Sequence, residues 1–408
     1  MKVLFLTQYC PPETGAPQNR IFELAQGLKK KGHEVTILTA MPNYPKGEIF
    51  EEYKDKILRE EEYKGIRIIR TWIYATPSKK FIPKLLNYFS FTISSILLGV
   101  WKVGKQDVIF TESPPLFLGG SGYILSKLLG AKYIFNISDL WPESAVELGV
   151  LNNKLLIKLS TWLEEFCYKK ADLISGQTKG IINNIKERGF DKNKLFLLTN
   201  GVDDNLFSRN KRSNQIRKEL NIKDKFTIVY AGLHGLAQGL EVIVETAKRL
   251  KEYDDIEFVL IGDGPKKESL IKLAERYNLN NIKFVPLQPK EKIPKLIASM
   301  DATIIPLKKL DLFKGAVPSK MYEALASELP IILAIDGEAR KIVEEAEAGI
   351  YVEPENVEEV TKAVLKLYQN RDLAREMGLN GRRYVEKFYA RRTILNKFEK
   401  RLSVLMEK

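Results

Sequence analysis

Phe226-Thr227-Ile228-Val229-Tyr230-Ala231-Gly232-Leu233-His234-Gly235-Leu236-Ala237-Gln238-Gly239 reads as a buried strand, a glycine-spaced turn and the opening of a helix. An apolar, β-branched run without polar alternation predicts a strand covered on both faces, as in a parallel sheet. The unit recurs downstream, with strands at Glu257–Ile261, Ile282–Val285, Thr303–Pro306 and Ile331–Ala334 and helices at Leu240–Lys251 and Lys266–Tyr277. An earlier run has the same rhythm: strands at Lys2–Thr7, Glu34–Thr39, Ile66–Thr71, Asp107–Thr111, Lys132–Ile137, Leu173–Ser175 and Leu195–Leu198, with a helix at Pro17–Lys31. Two such runs predict two doubly wound α/β domains, and 408 residues exceed what one core usually supports. The polar stretch Asp203–Lys225 reads as the linker, and helices follow at Val360–Tyr368, Leu373–Lys387 and Ile394–Met406.

Hydrophobic residues at 44% and charged residues at 29% describe a globular chain. Two distant cysteines, Cys10 and Cys167, argue against a disulfide scaffold or thiolate metal site and fit a reducing cytoplasm. The apolar start Val3–Leu6 is too short for a signal peptide and reads as a first strand. A net charge of +13 favours an anionic partner: a phosphorylated substrate or an acidic membrane surface. No zinc finger, basic zipper or aromatic RNA-binding signature accompanies it, so no nucleic-acid partner is expected. Phe81–Trp101 approaches transmembrane length, but Asn87, Ser90, Thr92, Ser94 and Ser95 interrupt it. It reads as a buried helix, as a helix at a membrane surface with Lys79, Lys80, Lys84, Lys102 and Lys105 toward the headgroups, or as a span.

Four segments are candidates for chemistry. In Pro11-Pro12-Glu13-Thr14-Gly15-Ala16-Pro17, Gly15 and Ala16 leave the backbone open and Pro17 suits a first helical position. Amides there could hold an anion, or the segment is a plain connecting loop. In Gly315-Ala316-Val317-Pro318-Ser319-Lys320-Met321-Tyr322-Glu323, Pro318 marks a helix start whose amides suit a diphosphate. Lys320, Glu323 and Ser327 share one helical face, so the ammonium could neutralise a departing diphosphate while the carboxylate accepts from ribose hydroxyls. An ordinary surface Lys–Glu pair has the same spacing. The glycines of Gly262-Asp263-Gly264 and of the Gly232–Gly239 stretch, with His234 and Gln238, allow close ligand approach, although turn chemistry alone explains such positions. In Ser138-Asp139-Leu140-Trp141-Pro142-Glu143, Asp139 could take an acceptor proton and Trp141 offer a flat face to a sugar, with Glu143 beside them. Helix capping by Asp139 over a core Trp141 is the alternative.

In order along nearly the whole chain, these segments resemble family-4 retaining glycosyltransferases, closest to the bacterial O-antigen and capsule branch that includes L-fucosamine transferases. Gly32-His33-Glu34-Val35 and Asn200-Gly201-Val202-Asp203 belong to the same ordered set. The resemblance implies a GT-B fold: two Rossmann-like domains facing across a cleft, with the last helix crossing back to the first. Expected boundaries are residues 1–204, completed by 386–408, for acceptor binding, and 205–385 for the nucleotide sugar. It implies donor binding through Gly15, Ala16, Gly232, His234, Gln238, Gly262, Gly264, the 315–320 segment and Glu323. Asp139, Lys320 and Glu323 are the expected catalytic groups, and Asp139, Trp141 and Glu143 the acceptor site. No cofactor or metal is expected.

The chain departs from the family pattern in places. Gly315 stands where a second glutamate is usual, Leu233 and Gln238 where an arginine and a lysine bind diphosphate, and Glu328 where a glycine is usual; Lys320 is read as the replacement charge. His33 is expected to cap a helix end. The implied activity is same-face transfer from a nucleotide sugar, UDP-linked by preference, to a saccharide or lipid-pyrophosphate-linked saccharide. That places the protein in the cytoplasm or at the inner face of the plasma membrane. A UDP-sugar 2-epimerase of the same fold and a non-catalytic membrane or polysaccharide scaffold are the alternatives.

Overall fold

The computed structural model describes residues 1–407 apart from Thr14, Lys79, Leu148 and Val150, and gives only the backbone of Ala16, Pro17, Phe81, Glu147 and Leu312. The chain divides into two compact units, Met1–Thr199 with Leu395–Lys408, and Asn200–Ile394. Strands of the first are β1 (Lys2–Leu6), β2 (Glu34–Ala40), β3 (Leu58–Tyr63), β4 (Ile66–Thr71), β5 (Val108–Ser113), β6 (Lys132–Ile137), β7 (Leu173–Gly176) and β8 (Leu195–Leu197). They lie in the order β3-β4-β2-β1-β5-β6-β7-β8, parallel except for the β3–β4 pair. The second unit contains β9 (Phe226–Ala231), β10 (Ile256–Ile261), β11 (Ile282–Val285), β12 (Ala302–Pro306), β13 (Ile331–Ala334) and β14 (Gly349–Tyr351), in the order β11-β10-β9-β12-β13-β14, all parallel.

Both sheets start in the middle and wind outward, reversing between β1 and β5 and between β9 and β12. Carboxyl ends at such a reversal form the crevice where open α/β sheets bind ligands. The central strands are largely apolar because helices cover both faces. Val3 to Leu6, Ile228 to Tyr230 and Phe258 to Ile261 are almost fully enclosed. Six helices of the first unit matter below: α1 (Ala16–Lys30), α2 (Phe81–Leu97), α3 (Gly99–Val103), α4 (Phe117–Leu129), α5 (Glu143–Glu147) and α6 (Lys154–Lys170).

The structure departs from the sequence reading in four places. Asp203–Lys225 is no linker: it carries a 3₁₀ turn at Arg209–Lys211 and a helix at Asn214–Glu219. Its arginines, legible only as a solvated charge run, converge on Asp301 at 3.0 Å from Arg212 and 3.2 Å from Arg217. The units divide a few residues from the expected boundaries because both crossing segments are tied together inside the second unit. There the Val202 amide donates to Tyr389 O (3.0 Å) and the Arg391 amide to Val202 O (2.9 Å). Strand β3, Leu-Arg-Glu-Glu-Glu-Tyr, carries charge that masks its nature, and it is an edge strand whose Glu61 accepts from the buried Arg70 at 2.6 Å. His33 reaches the last helix, with Nε2 3.1 Å from Glu399, rather than simply closing α1.

The helix Ser319–Ala326 ends in a Schellman motif: the Glu328 amide donates to Leu325 O (3.2 Å) and the Leu329 amide to Ala324 O (3.1 Å). This places Glu328 at φ 57°, a left-handed conformation that glycine adopts without steric cost. Glu328→Gly is therefore expected to stabilise the protein by about 0.5–1 kcal/mol in urea unfolding, the Cβ penalty relieved less the extra backbone entropy of glycine.

Candidate active site

In the second unit the site begins with strand register. Ala231 pairs with Ile261, so Gly232 and Gly262 leave β9 and β10 side by side. The Gly232 amide still donates to Ile261 O (2.9 Å), and the Gly262 amide to Val285 O (3.1 Å). Both have φ near 145°, at 146° and 143°. A Cβ at Gly262 would lie 2.0 Å from Gly232 O, one at Gly264 2.5 Å from His234 O, and one at Gly232 2.8 Å from Lys320 Nζ. Each glycine is thus required by a close approach of backbone or ammonium. Gly315 differs, since a Cβ there meets nothing within 4 Å.

His234 sits between the two turns. Its amide donates to Asp263 O (2.8 Å) and its carbonyl accepts from the Lys266 amide (2.9 Å). The residue is fully buried, and neither ring nitrogen has a hydrogen-bond partner. Burial, reinforced by Lys267 and Lys320 and opposed by Asp263, lowers its pKa to about 4, so the ring is neutral near pH 7. Lys320 Nζ lies 3.9 Å from the Tyr230 ring centroid, and that ring is fixed by its hydroxyl donating to Leu233 O (2.7 Å). Burial pulls the Lys320 pKa down to about 7, resisted by Glu323. The aromatic face also favours the charged form.

Pro318 is the N-cap of the Ser319–Ala326 helix, and the first-turn amides of Ser319 and Lys320 precede any intrahelical acceptor. Glu323, one turn on, is half-buried. Ser327 lies at the C-cap instead of extending that face, with a buried, unpartnered Oγ. Gln238 is half-buried with an unpartnered Oε1, while Leu233 is largely exposed. Ala316 and Val317 lie in the half-buried approach to Pro318, after a 3₁₀ turn at Asp311–Gly315.

In the first unit, Gly15 is the N-cap of α1 in an extended conformation, and a Cβ on it would meet Gln18 Oε1 at 2.3 Å. Ala16 opens α1; its side chain, like Thr14 and Lys79, lies outside the described residues. Glu13 is buried and accepts from the amides of Asn43 (2.8 Å), Tyr44 (2.8 Å) and Cys10 (3.0 Å). Burial still raises its pKa despite those donors and Arg70, so the Pro11-Pro12-Glu13 motif is a structural clasp. Asp139 is exposed and accepts from Ser144 Oγ at 3.0 Å. Trp141 is half-buried, edge-on to Phe117 at 5.9 Å. Glu143, at the start of α5, accepts from Asn184 at 3.2 Å and lies 3.6 Å from Arg188.

Beside Asp139 is a buried polar network. Arg20 donates to Glu112 (2.6 Å) and Ser138 Oγ (2.8 Å), Asn136 donates to Glu112 (2.6 Å), and Ser175 donates to Asn136 (2.7 Å). It joins α1 to the carboxyl ends of β5, β6 and β7, at the reversal of the first sheet.

Comparison with known proteins gives this geometry a family. The description "Glycosyl transferase 4-like domain" matches residues 15–201, and "Glycosyl transferases group 1" matches residues 212–384. Over 98% of both chains the protein is 28% identical to WcaI of Escherichia coli K12, named as a colanic acid biosynthesis glycosyl transferase. Among solved structures, sucrose-phosphate synthase from Thermosynechococcus elongatus superposes with TM-score 0.76 at 18% identity, covering 100% of this chain and 99% of that one. HepE of Anabaena in complex with UDP-glucose superposes with TM-score 0.73 at 15% identity, covering 99% and 100%. The chain is a glycosyltransferase, GT-B in fold and family-4-like in sequence.

In this glycosyltransferase, Gly232, His234, Gly262, Gly264 and Lys320 gather at the carboxyl ends of β9 and β10. Asp139 and Trp141 belong to the first unit and are described there. Three participants carried no sequence signal. Tyr230 reads as one more buried strand residue, and Arg20 and Glu112 read as an ordinary helical cation and a strand acid; only contact geometry reveals them. The steric contrast between glycines is testable. Gly262→Ala is expected to cost at least about 2 kcal/mol in denaturant unfolding, through strain and backbone clash, and Gly315→Ala to stay within about 0.5 kcal/mol.

Proposed function

We propose that the enzyme transfers a sugar, with retention, from a UDP-sugar to a saccharide or lipid-pyrophosphate-linked saccharide during cell-surface polysaccharide synthesis. The observation that carries this reading is the Lys320 ammonium, stacked on Tyr230 and pressed against Gly232 at the first turn of the Ser319–Ala326 helix. The UDP-glucose complex of a similar fold supports UDP as the nucleotide, and the relative named for colanic acid biosynthesis supports a polysaccharide product.

In this reading the donor diphosphate lies against Gly232, Gly262 and Gly264 and the amides of Ser319 and Lys320. Gly15 and Ala16 are assigned to the donor phosphates or sugar, and Gly315, Ala316 and Val317 to the sugar. Glu323 accepts from the ribose hydroxyls, and His234 and Gln238 offer their unpartnered atoms to the donor. The bond from the anomeric carbon to the phosphate oxygen breaks, and charge accumulates on the departing UDP. Lys320 and the helix amides stabilise that charge, in an enclosed site where such contacts gain strength over water. The acceptor hydroxyl attacks from the same face, its proton passing to a donor phosphate oxygen or to Asp139, with Trp141 and Glu143 holding the acceptor ring. No step is assigned to a metal or cofactor. The enzyme works at the cytoplasmic face of the membrane, where a lipid-linked acceptor resides.

The test is transfer from UDP-sugars alongside thermal shift with UDP. Glu323→Ala and Lys320→Met are each expected to lower kcat/KM by about 100-fold or more while the fold persists. Undiminished turnover in both would overturn the assignment. The pH dependence has a definite sign. Lys320 titrates near 7 when folded against an ordinary 10.5. Between those values the unfolded chain holds the extra proton, so the ligand-free protein gains stability as pH rises through that window. Donor binding favours the ammonium, so the UDP-induced rise in Tm is expected to shrink above pH 7 relative to Lys320→Met, in which this component disappears.

A further inference from the structure

Helix α2 anchors itself in the core through Phe91, but around that anchor its pattern is inverted. Its polar residues face the interior: Asn87 accepts from Gln8 (2.8 Å) and donates to Tyr74 O (2.8 Å), Ser94 pairs with Thr71 (3.0 Å), and Ser95 with Ser121 (2.6 Å). Its apolar residues Ile82, Leu86, Phe89, Ile93 and Leu97 form an exposed stripe, Leu97 at 63%. That spacing is one face of a helix, and in a water-soluble helix it is the face expected to be covered. Directly after it, Trp101 on α3 is 86% exposed.

The neighbouring helices continue the surface. Phe89 packs on Phe117 of α4 at 4.3 Å, and Tyr123 of α4 on Phe166 of α6 at 5.2 Å, so the three helices lie side by side. Helix α4 exposes Ile124 and Leu128, and α6 exposes Leu155, Leu159 and Trp162. Apolar surface of this extent on a soluble chain marks an interaction site.

Charge decides the partner. Exposed lysines border the apolar residues: Lys80 and Lys84 at the start of α2, Lys102 and Lys105 at and beyond α3, Lys127 on α4, and Lys154 and Lys158 on α6. No acidic residue occurs from Phe81 to Gln106, from Pro114 to Ile137 or from Leu151 to Leu163. Beyond Trp162 on α6, the partly exposed Glu165 is paired with Lys169 (3.6 Å) and Arg188 (3.6 Å). Among the described residues, none of Lys84, Lys105, Lys154 and Lys158 forms a salt bridge. A second copy of the chain would bring lysine against lysine across a self-complementary contact. A span is not available, since among the described residues no helix is long and apolar enough to cross a membrane.

We propose that the α2–α4–α6 face of the first unit docks on an anionic lipid bilayer, its apolar side chains at the acyl boundary and its lysines among the headgroups. The proposal stands apart from the sugar chemistry, and its test can fail while the donor reading holds. The full-length protein is mixed with phosphatidylcholine vesicles, with and without phosphatidylglycerol, at low and raised salt, and co-sedimentation and tryptophan emission are read. The expected result is sedimentation with the anionic vesicles only, weakening as salt rises, with a blue shift to which the exposed Trp101 contributes. Ile93→Ser with Leu97→Ser, and separately Lys84→Glu with Lys102→Glu, are each expected to reduce partitioning about 10-fold or more. An unchanged UDP thermal shift in these variants shows that the fold and donor site persist. Absence of binding to anionic vesicles at low salt, or wild-type partitioning in both variants, overturns the proposal. So does a lipid-free dimer in sedimentation that the Ile93→Ser/Leu97→Ser variant converts to monomer, which would assign the face to a second copy.

Discussion

Two neighbouring strand ends in the second unit meet so closely that Gly262 can carry no side chain, and the chemistry of that unit is arranged around the contact. The distance of 2.0 Å from a would-be Cβ on Gly262 to Gly232 O makes this a steric condition. It follows from parallel register: β9 and β10 end together, so their first loop residues are adjacent. The Ser319–Ala326 helix then brings Lys320 beneath Gly232, and the ring of Tyr230, the penultimate residue of β9, supports the ammonium. A side chain at Gly232 would displace the cation, and one at Gly262 would part the strands.

The arrangement places polar and charged groups where burial is costly. An imidazole buried with both nitrogens unpartnered forfeits about 1–3 kcal/mol. An enclosed lysine whose pKa falls to about 7 is held in a setting that disfavours its charge. Burial accounts for both shifts, and both groups lie around the same two turns. A multiply charged anion there would favour the ammonium and give the helix amides a partner, so the groups that are costly to bury are those suited to an anion. The first unit is different: Arg20, Glu112, Asn136, Ser138 and Ser175 are linked in one hydrogen-bonded network, and Glu13 accepts from three amides. Those residues hold the α1 start against the carboxyl ends of β5, β6 and β7.

Much of this was legible in the sequence, and the illegible parts have a common cause. Strands such as Phe226–Ala231 and Ile331–Ala334 declare themselves because burial on both faces removes polar alternation. Glycines at Gly232, Gly262 and Gly264 declare a close approach, and Lys320 stands out as a charge on a helix start. What stayed hidden depends on partners that lie outside the segment being read. Arg209, Arg212 and Arg217 read as part of a linker until Asp301 is placed among them, and the charged Leu58–Tyr63 gives no strand signal until Arg70 is placed against Glu61. Tyr230 is a strand aromatic until an ammonium lies over it. Composition along a segment cannot report a charge that is cancelled from nearly a hundred residues away.

Helix α2 illustrates the same limit with the opposite outcome. Asn87, Ser94 and Ser95 weigh against a membrane-crossing segment when averaged over the sequence, yet the structure turns them inward, where Gln8, Thr71 and Ser121 satisfy them. The average therefore understates how apolar the outer face is. Folding alone gives no reason for this inversion, since exchanging Asn87 and Ile93 between faces would bury more apolar surface and leave fewer polar groups needing partners. A helix that packs through hydrogen bonds and presents hydrocarbon outward suits an environment whose outside is not water. The lysines around that hydrocarbon, on an α2 and α4 that carry no acid, specify an anionic outside, as the headgroup layer of an acidic bilayer is.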